Sequence, residues 1–295
     1  MKLSRPTVIS YLRQAKAREI VSVRLSGEHF RSNDLADRLA EFFSLDGAYV
    51  IPVEGLSDES RFHEVCEAAA HILLDFLQPG DQLGVSWGST LSLIADKVPY
   101  WSIERLTVRQ LIGAMSNPLL RTAERCSTEI AHRLGALCVN LNAPAVCSNA
   151  VLASLLRAEP IIAEQLQQLK DCNKAIFSVS PCTPDGHVTQ FKIVTEQEVE
   201  NYVAQGAVGI IAGRFIDSQG QPVLGEVDER LMGIELTTLR QMSGLLVASG
   251  LDKLPALLAA LRGGFANRLV IDSLLAEAIL AQVESPDATE RLSRR

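Results

Sequence analysis

The sequence predicts an α/β protein in which a parallel, Rossmann-like sheet carries helices on both faces, with a partial winged helix-turn-helix in front of it. Short apolar runs rich in Val, Ile and Leu alternate with amphipathic segments of about 10 to 15 residues. Many of these apolar runs are continuous, which is typical of strands buried on both faces. With 295 residues, 47% of them hydrophobic, the chain can form a domain with a large core.

The composition excludes several classes of protein. The best candidate for a membrane span, GLLVASGLDKLPALLAAL, is interrupted by Asp252, Lys253 and Pro255, so no span is predicted. The first residues, MKLSRPTV, lack the apolar core of a secretory signal. Six cysteines occur without a C-x-x-C pair, which favours reduced thiols over disulfides or a metal site. We therefore predict a cytoplasmic protein with no metal and no other cofactor.

Charge is distributed unevenly along the chain. The net charge is −7, yet residues 1–26 carry six basic side chains against Glu19 alone. A small basic segment on an acidic body indicates that only this segment meets a polyanion. We predict a partial winged helix-turn-helix over residues 1–26, a larger α/β domain over residues 33–283 and a flexible tail over residues 284–295.

The basic segment has the pattern of a recognition helix followed by a wing. Ser4 is a good N-cap, and Pro6 suits the first helical turn. Apolar residues then recur at helical spacing before the alternating strand IVSVRL. The residues predicted to contact DNA are Ser4, Arg5, Thr7, Ser10, Tyr11 and Arg13. The alternative is a solvated amphipathic helix that only caps the domain.

A helix-turn-helix also needs scaffold helices before its recognition helix, and this sequence starts at the recognition helix itself. One expectation is that the start codon is placed too far downstream. Another is that the chain is a truncated product. In that case it would be a ligand-binding protein that lacks DNA binding and modulates longer relatives through mixed oligomers.

The body of the chain alternates between helix and strand, which predicts parallel strands joined by crossover helices. A helix over residues 33–43 precedes strand AYVIPV, helix ESRFHEVCEAAAHILLDFL and strand DQLGVS. A further helix opens at Ser89 or Thr90. The later segments are RLTVRQLIGA, a helix near residues 120–134, strand ALCVNL, helices through Leu156 and Leu169, strand KAIFSVS, strand AVGIIAGRF, helix IELTTLRQM, strand GLLVAS, helix KLPALLAALRGG, strand NRLVID and helix SLLAEAILAQV.

The carboxyl ends of these strands are the predicted binding site. Ligands of open α/β sheets bind there, and a helix that starts at such an end offers unpaired N–H groups to an anion. The stretch GVSWGST fits this description best. The residues predicted to bind this ligand are Gly84, Trp87, Gly88, Ser89, Thr90, Gln110, Gly113, Arg214, Asp217, Lys253 and Asp272.

The charged members of this set have structural alternatives. Lys253 and Arg214 could supply counter-charges to a phosphate, and Asp217 and Asp272 could accept hydrogen bonds from sugar hydroxyls. Lys253 could equally be an exposed residue in a first helical turn, and Arg214 could belong to an ion pair. Asp217 lies in a sequence that favours a turn.

No catalytic residues are predicted. The five histidines are scattered, and the sequence contains no G-x-S-x-G, P-loop, H-E-x-x-H or G-x-G-x-x-G motif. A sugar-phosphate isomerase or deaminase could still use Asp or Glu as its base, so an enzyme stays open as the alternative.

Taken together, the sequence blocks resemble the SorC family of bacterial transcriptional regulators. In chain order they are LSRPTVISYLRQAKAREIVSVRL, GDQLGVSWGSTL, VRQLIGA, GAVGIIAGRFIDSQGQPV, LDKLPALLAALRGG and LVIDSLLAEAIL. The resemblance implies a winged helix-turn-helix joined to a sugar-binding domain, whose fold is similar to glucosamine-6-phosphate deaminase and ribose-5-phosphate isomerase. It also implies a phosphorylated sugar as effector, operator DNA as a partner, and self-assembly into a dimer or tetramer.

The resemblance assigns the phosphate of the effector to residues 84–90, with Gly88, Ser89 and Thr90 as donors at a helix N-terminus. This chain departs from the family pattern at Ile210, residues 178–180, Ser249 and Ser273. The family usually has an aspartate where Ile210 stands. The block VRQLIGA has no lysine, which argues against a Schiff base there. We predict a sugar- or sugar-phosphate-responsive DNA-binding transcriptional regulator of a carbohydrate-utilisation operon.

Overall fold

A computed structural model describes residues 34–115 and 122–284, and the predicted DNA-binding residues and the end of the tail lie outside these ranges. Ten strands form in the described residues. They are β1 (Gly47–Ile51), β2 (Gln82–Val85), β3 (Thr107–Gln110), β4 (Leu137–Val139), β5 (Lys174–Phe177), β6 (Val179–Pro181), β7 (Ala207–Ile211), β8 (Arg214–Asp217), β9 (Ser243–Ala248) and β10 (Arg268–Asp272).

The described residues also form twelve α-helices. They are α1 (Asp34–Phe43), α2 (Asp58–Phe76), α3 (Ser89–Lys97), α4 (Ala123–Arg133), α5 (Ala150–Ala158), α6 (Pro160–Gln168), α7 (His187–Gln190), α8 (Glu196–Ala204), α9 (Glu226–Arg230), α10 (Leu236–Leu239), α11 (Leu254–Arg262) and α12 (Ser273–Val283). Side-chain N-caps begin α2, α4, α5, α8 and α12, namely Ser57, Thr122, Asn149, Thr195 and Asp272.

Seven strands form one parallel sheet in the order β1-β10-β9-β5-β2-β3-β4. Side chains that alternate along β1 enter two separate cores, one on each face of the sheet. The first core includes Leu39 of α1, Leu257 of α11 and Ile279 of α12. The second includes Ile72 of α2 and Leu91 of α3. The predicted parallel sheet with helices on both faces is therefore confirmed.

Three strands lie in a second, antiparallel sheet in the order β6-β7-β8, which the sequence analysis did not anticipate. The segment AVGIIAGRF was predicted as one strand, and this was wrong. Ala212 and Gly213 have φ values of 49° and 84°, and they turn the chain between the paired residues Ile211 and Arg214. Two consecutive residues with positive φ make a tight hairpin turn, which a continuous apolar pattern does not reveal.

The predicted strand KAIFSVS is divided between the two sheets. It forms β5 in the parallel sheet and β6 in the antiparallel sheet, with Ser178 between them. The small sheet is held against α11, where Gly209 lies so near that an added Cβ would be 2.7 Å from the Cβ of Ala256. This arrangement places Ser178 and β6 beside the carboxyl ends of β2 and β9.

Two further features concern the class of protein. None of the helices in the described residues has both the length and the apolar character needed to cross a bilayer. The described residues also contain no group of three or more His, Cys, Asp or Glu side chains placed to hold a metal ion.

Burial raises the pKa of the Cys66 and Cys172 thiols to about 12, so both are unreactive near neutral pH.

Candidate effector-binding site

The loop between β2 and α3 presents the start of a helix that has no side-chain cap. The amide of Ser86 donates to the carbonyl of Ile176 at 3.1 Å, which fixes the loop to the neighbouring strand β5. Gly88 then occupies the N-cap position with φ 104° and ψ −177°, and no side chain accepts from the first turn. The leading N–H groups of α3 are therefore available to a ligand, and the helix dipole favours an anion there.

The side chain of Lys253 lies beside the start of α3. It ends the short 3₁₀ turn Leu251–Lys253 after β9, and its Nζ lies 3.3 Å from both Thr90 Oγ1 and Ser178 Oγ. Burial lowers the pKa of Lys253 below its ordinary value, and the nearby carboxylates of Asp252 and Asp272 only partly oppose this. No carboxylate of the described chain forms a salt bridge with it. A partly buried ammonium beside an uncapped helix start is suited to an anion.

These groups border a small pocket that is open to solvent. Its polar wall contains hydroxyls, an imidazole and the Lys253 ammonium, while its apolar wall comes mainly from the small sheet and α7. The lining residues are Ser86, Trp87, Gly88, Ser89, Thr90, Ser178, Val179, Ser180, His187, Val188, Ile210, Ala212, Gly213 and Lys253. The Trp87 ring also packs against the Phe191 ring, with centroids 4.8 Å apart. The loop is thereby connected to the segment that carries α7.

Five of the predicted effector-binding residues come together in this pocket: Trp87, Gly88, Ser89, Thr90 and Lys253. Three others, Gly84, Gln110 and Gly113, lie outside its lining and contact other parts of the protein. Gly84 lies within β2, where an added Cβ would be 2.5 Å from Leu111. The side-chain Nε2 of Gln110 donates to the Ile112 carbonyl at 2.6 Å. Gly113 packs closely against the carbonyls of Ala143 and Pro144.

The remaining three predicted residues also lie outside the lining, and each has protein partners. Arg214 is 3% exposed and forms salt bridges with Asp228 and Glu235. Asp217 accepts from the amides of Gln219 and Gln221 at 2.8 Å, which stabilises a turn. Asp272 is fully buried and accepts from the Ser249 hydroxyl and from the amides of Gly250 and Leu275. Their assignment to the effector stays a prediction.

Comparison with known proteins identifies the family. The family model "Putative sugar-binding domain" matches residues 28–281. The transcriptional regulator YjhU of Escherichia coli is 34% identical over 95% of this chain and 88% of its own length. The crystal structure of the full-length sorbitol operon regulator SorC of Klebsiella pneumoniae covers 94% of this chain and 90% of its own, with a TM-score of 0.80 at 25% identity. This chain belongs to the SorC family of transcriptional regulators.

Two other similar proteins are also named as regulators. The deoxyribonucleoside regulator of Bacillus subtilis is 27% identical over 95% of this chain and 90% of its own length. A DeoR-family transcriptional regulator from Listeria monocytogenes superposes with a TM-score of 0.78 at 26% identity and covers 84% of this chain and 98% of its own. The predicted class, a sugar-responsive transcriptional regulator, is confirmed. The alternative of an isomerase or deaminase is set aside, since these relatives are regulators and not enzymes.

Three residues that line this pocket, Ser178, Ser180 and His187, were not among the predicted site residues. Ser178 and Ser180 were noted as departures from the family pattern but were not included in the site. Their position at the end of a predicted strand could have placed them there. His187 was counted among scattered histidines, because nothing local indicates that α7 packs beside Trp87.

Replacing Gly88 with alanine in this SorC-family protein is expected to lower both its stability and its affinity for phosphate. A side chain at φ 104° is strained by about 1–3 kcal/mol, and the loop can relieve this only by turning the amides that face the pocket. The measurements are thermal unfolding and calorimetric titration with inorganic phosphate.

Gly206→Ala is the matched control for Gly88→Ala. Gly206 has φ 95° and, like Gly88, has open space around an added Cβ, but it lies outside the pocket lining. It should lose stability and keep its phosphate affinity. Equal affinity losses in the two variants would show that backbone strain alone is responsible.

Proposed function

We propose that this regulator binds a phosphorylated sugar in the pocket between α3, Lys253 and the small sheet. The phosphate accepts hydrogen bonds from the leading amides of α3 and from the hydroxyls of Ser89 and Thr90, and it pairs with the Lys253 ammonium. The single observation that carries this proposal is the position of Lys253, held between two hydroxyls without a carboxylate partner in the described chain. An anion at this point would offset the cost of burying that charge.

The sugar lies on the side of the pocket that faces the small sheet. Ser180 and His187 supply polar groups there, and Trp87 offers a flat apolar surface against which a sugar ring packs. Trp87 also contacts Phe191, so a ligand on this surface touches the same side chain that holds the α7 segment. Effector binding therefore changes the packing of that segment, which couples the pocket to the rest of the protein.

The response to the sugar is read out on operator DNA. We assign DNA contacts to the basic segment (residues 1–26), through Ser4, Arg5, Thr7, Ser10, Tyr11 and Arg13, and effector binding to residues 33–283. Residues 284–295 form the tail. Two or four copies assemble so that paired recognition helices match a two-fold operator. The effector acts by binding two arrangements of this assembly unequally, because a ligand with equal affinity for both would shift nothing.

The test uses the full chain with phosphorylated and free pentoses and hexoses. Thermal unfolding is followed first, and the sugars are then assayed for chemical change. A phosphorylated sugar at a hundredfold over its Kd should stabilise the protein by about 2.7 kcal/mol and be recovered unchanged. The same sugar should alter binding to promoter fragments of neighbouring operons at low salt. Turnover of the sugar, or stabilisation by free sugars alone, would overturn the proposal.

A further inference from the structure

The outer side of helix α5 is apolar and faces solvent. Val151 is 71% exposed, Leu155 is 64% exposed and Leu152 is 40% exposed. Their spacing of three and four residues places them side by side along one strip of the helix. The exposed residues Ser154 and Ala158 complete this strip, which we call the α5 face. A contiguous apolar strip on a protein surface marks a contact site.

Helix α5 reverses the usual arrangement of an amphipathic helix. Ala153 is the one residue of this helix that is buried, whereas a core-facing helix normally buries its large apolar side chains. Polar contacts hold α5 in this orientation. The Arg157 guanidinium donates to the carbonyls of Glu229 and Leu231 at 2.9 and 2.8 Å, and Asn149 caps the first turn. Because these contacts fix α5, its large apolar side chains are held toward solvent.

The segments outside the described ranges join the protein away from the α5 face. Residues 1–33 lead into α1, which packs against β1 and α12 at one end of the large sheet. Residues 285–295 follow α12, and Glu284 pairs there with Arg38 of α1. Residues 116–121 lead into α4, which packs on the opposite face of the sheet from α6. The occupant of the α5 face is therefore sought in a second chain.

A second copy of this protein fits the α5 face by charge. The chain has a net charge of −7, so two copies repel each other over most of their surfaces. A two-fold contact places the same surface of both copies together. The α5 face contains no charged side chain, so it can meet itself without opposing like charges. Its small residues, Ser154 and Ala158, let two such helices approach closely.

We infer that two copies of this protein associate through their α5 faces around a two-fold axis. The face lies toward the β4 end of the large sheet, where Gln165 of α6 donates to the Asn140 carbonyl just after β4 at 3.0 Å. The N-terminal segments of the pair then leave from its two outer ends, because α1 lies at the β1 end. The α5 contact is thus separate from any contact between recognition helices. The inference rests on the assembly of copies in the proposed function, and it names the surface.

The first experiment compares the full chain with Leu155→Glu by analytical ultracentrifugation over a range of micromolar concentrations. Two carboxylates would then oppose each other within an apolar contact, which is costly. The wild type should sediment as a multiple of 32.1 kDa, and Leu155→Glu should halve its mass. Val203→Glu is the matched control, because Val203 is a 45% exposed apolar residue on α8, and it should keep the wild-type mass. Far-UV circular dichroism should be the same for all three proteins.

Cross-linking tests the same contact without adding a charge. Leu155→Cys treated with a short bismaleimide should give a covalent dimer, whereas Val203→Cys should give no more than the wild type. The wild type supplies the background, since its own Cys138 and Cys182 are partly exposed.

The outcomes separate the contact surface from the assembly. If Leu155→Glu keeps the wild-type mass, or if Leu155→Cys cross-links no better than Val203→Cys, the inference is overturned while the assembly of copies stands. If the wild type stays monomeric at every concentration, both the inference and the assembly in the proposed function fail. Binding of a sugar phosphate is judged independently, by the titrations of the proposed function.

Discussion

Replacing Lys253 with methionine is expected to reduce the affinity for a phosphorylated effector roughly a hundredfold. Hydrogen bonds to charged groups contribute about 1.5–3 kcal/mol, and here the ammonium lies in a partly buried position beside the helix terminus. Methionine keeps much of the length of the side chain and its packing, so the loss reports on charge. Calorimetric titration with inorganic phosphate and with a sugar phosphate provides the measurement.

The same substitution should leave the unliganded protein at least as stable as the wild type. Burial lowers the pKa of Lys253, so the folded state holds this proton less tightly than the unfolded state does. Between the lowered pKa and the ordinary value of about 10.4, the unfolded state binds more protons, and the stability of the wild type therefore rises with pH. Lys253→Met lacks this dependence. The free energy of unfolding of Lys253→Met should therefore exceed that of the wild type by most at pH values below the lowered pKa. The difference should vanish in alkaline solution.

Lys170→Met is the matched control, because Lys170 is an exposed lysine outside the effector pocket. It should leave the affinity for phosphate unchanged. The role assigned to Lys253 would be refuted if Lys253→Met bound the sugar phosphate within threefold of the wild type. If Lys253→Met lost phosphate binding but its stability depended on pH as that of the wild type does, burial would not disfavour the Lys253 ammonium in the free protein.

The large sheet could be predicted because its signals are local. Runs such as AYVIPV and GLLVAS are apolar throughout and are separated by helices, and this pattern fixes both the strands and their parallel direction. The loop GVSWGST could be placed in the pocket for the same reason. It follows a strand, and strand ends in such sheets meet at one edge.

The small sheet could not be predicted in the same way. AVGIIAGRF has an apolar pattern that fits one strand as well as two, and the turn depends on Ala212 adopting a positive φ, which alanine rarely does. Similarly, KAIFSVS has no break in its pattern at Ser178. Half of the pocket wall comes from this sheet and α7, so the sequence analysis identified the phosphate side of the pocket and missed most of the sugar side.

The sequence alone does not show which polar residues at strand ends face the pocket and which pair with other protein groups. Only their tertiary contacts distinguish the two kinds. Lys253 lies against hydroxyls contributed by residues 75 and 163 positions away, and it has no carboxylate partner in the described chain. Arg214 lies against carboxylates 14 and 21 positions away. No local pattern distinguishes these two cations, although one faces the pocket and the other lies within the protein.

Replacing Arg214 with methionine is expected to destabilise the protein by about 3–5 kcal/mol, which corresponds to a fall in Tm of about 10 °C. The guanidinium donates to the Ile234 carbonyl at 2.7 Å and pairs with Asp228 and Glu235. Its removal leaves the carboxylate of Asp228 with only the Tyr202 hydroxyl and the Gly225 amide. Chemical and thermal unfolding measure the loss, and Arg262→Met, an exposed arginine, should change stability by less than about 0.5 kcal/mol.

A second substitution distinguishes a structural role for Arg214 from contact with the effector. Asp228→Asn removes the unpaired charge while its amide oxygen still accepts from Tyr202, so the double variant should recover part of the lost stability. If Arg214 only holds α9 and α10 against β8, this stabilised double variant will bind phosphate within about threefold of the wild type. If Arg214 contacts the effector, as the sequence analysis predicted, binding will stay weak although folding is restored. The double variant therefore decides between the two roles, because it separates the charge that supports the fold from the charge that meets the ligand.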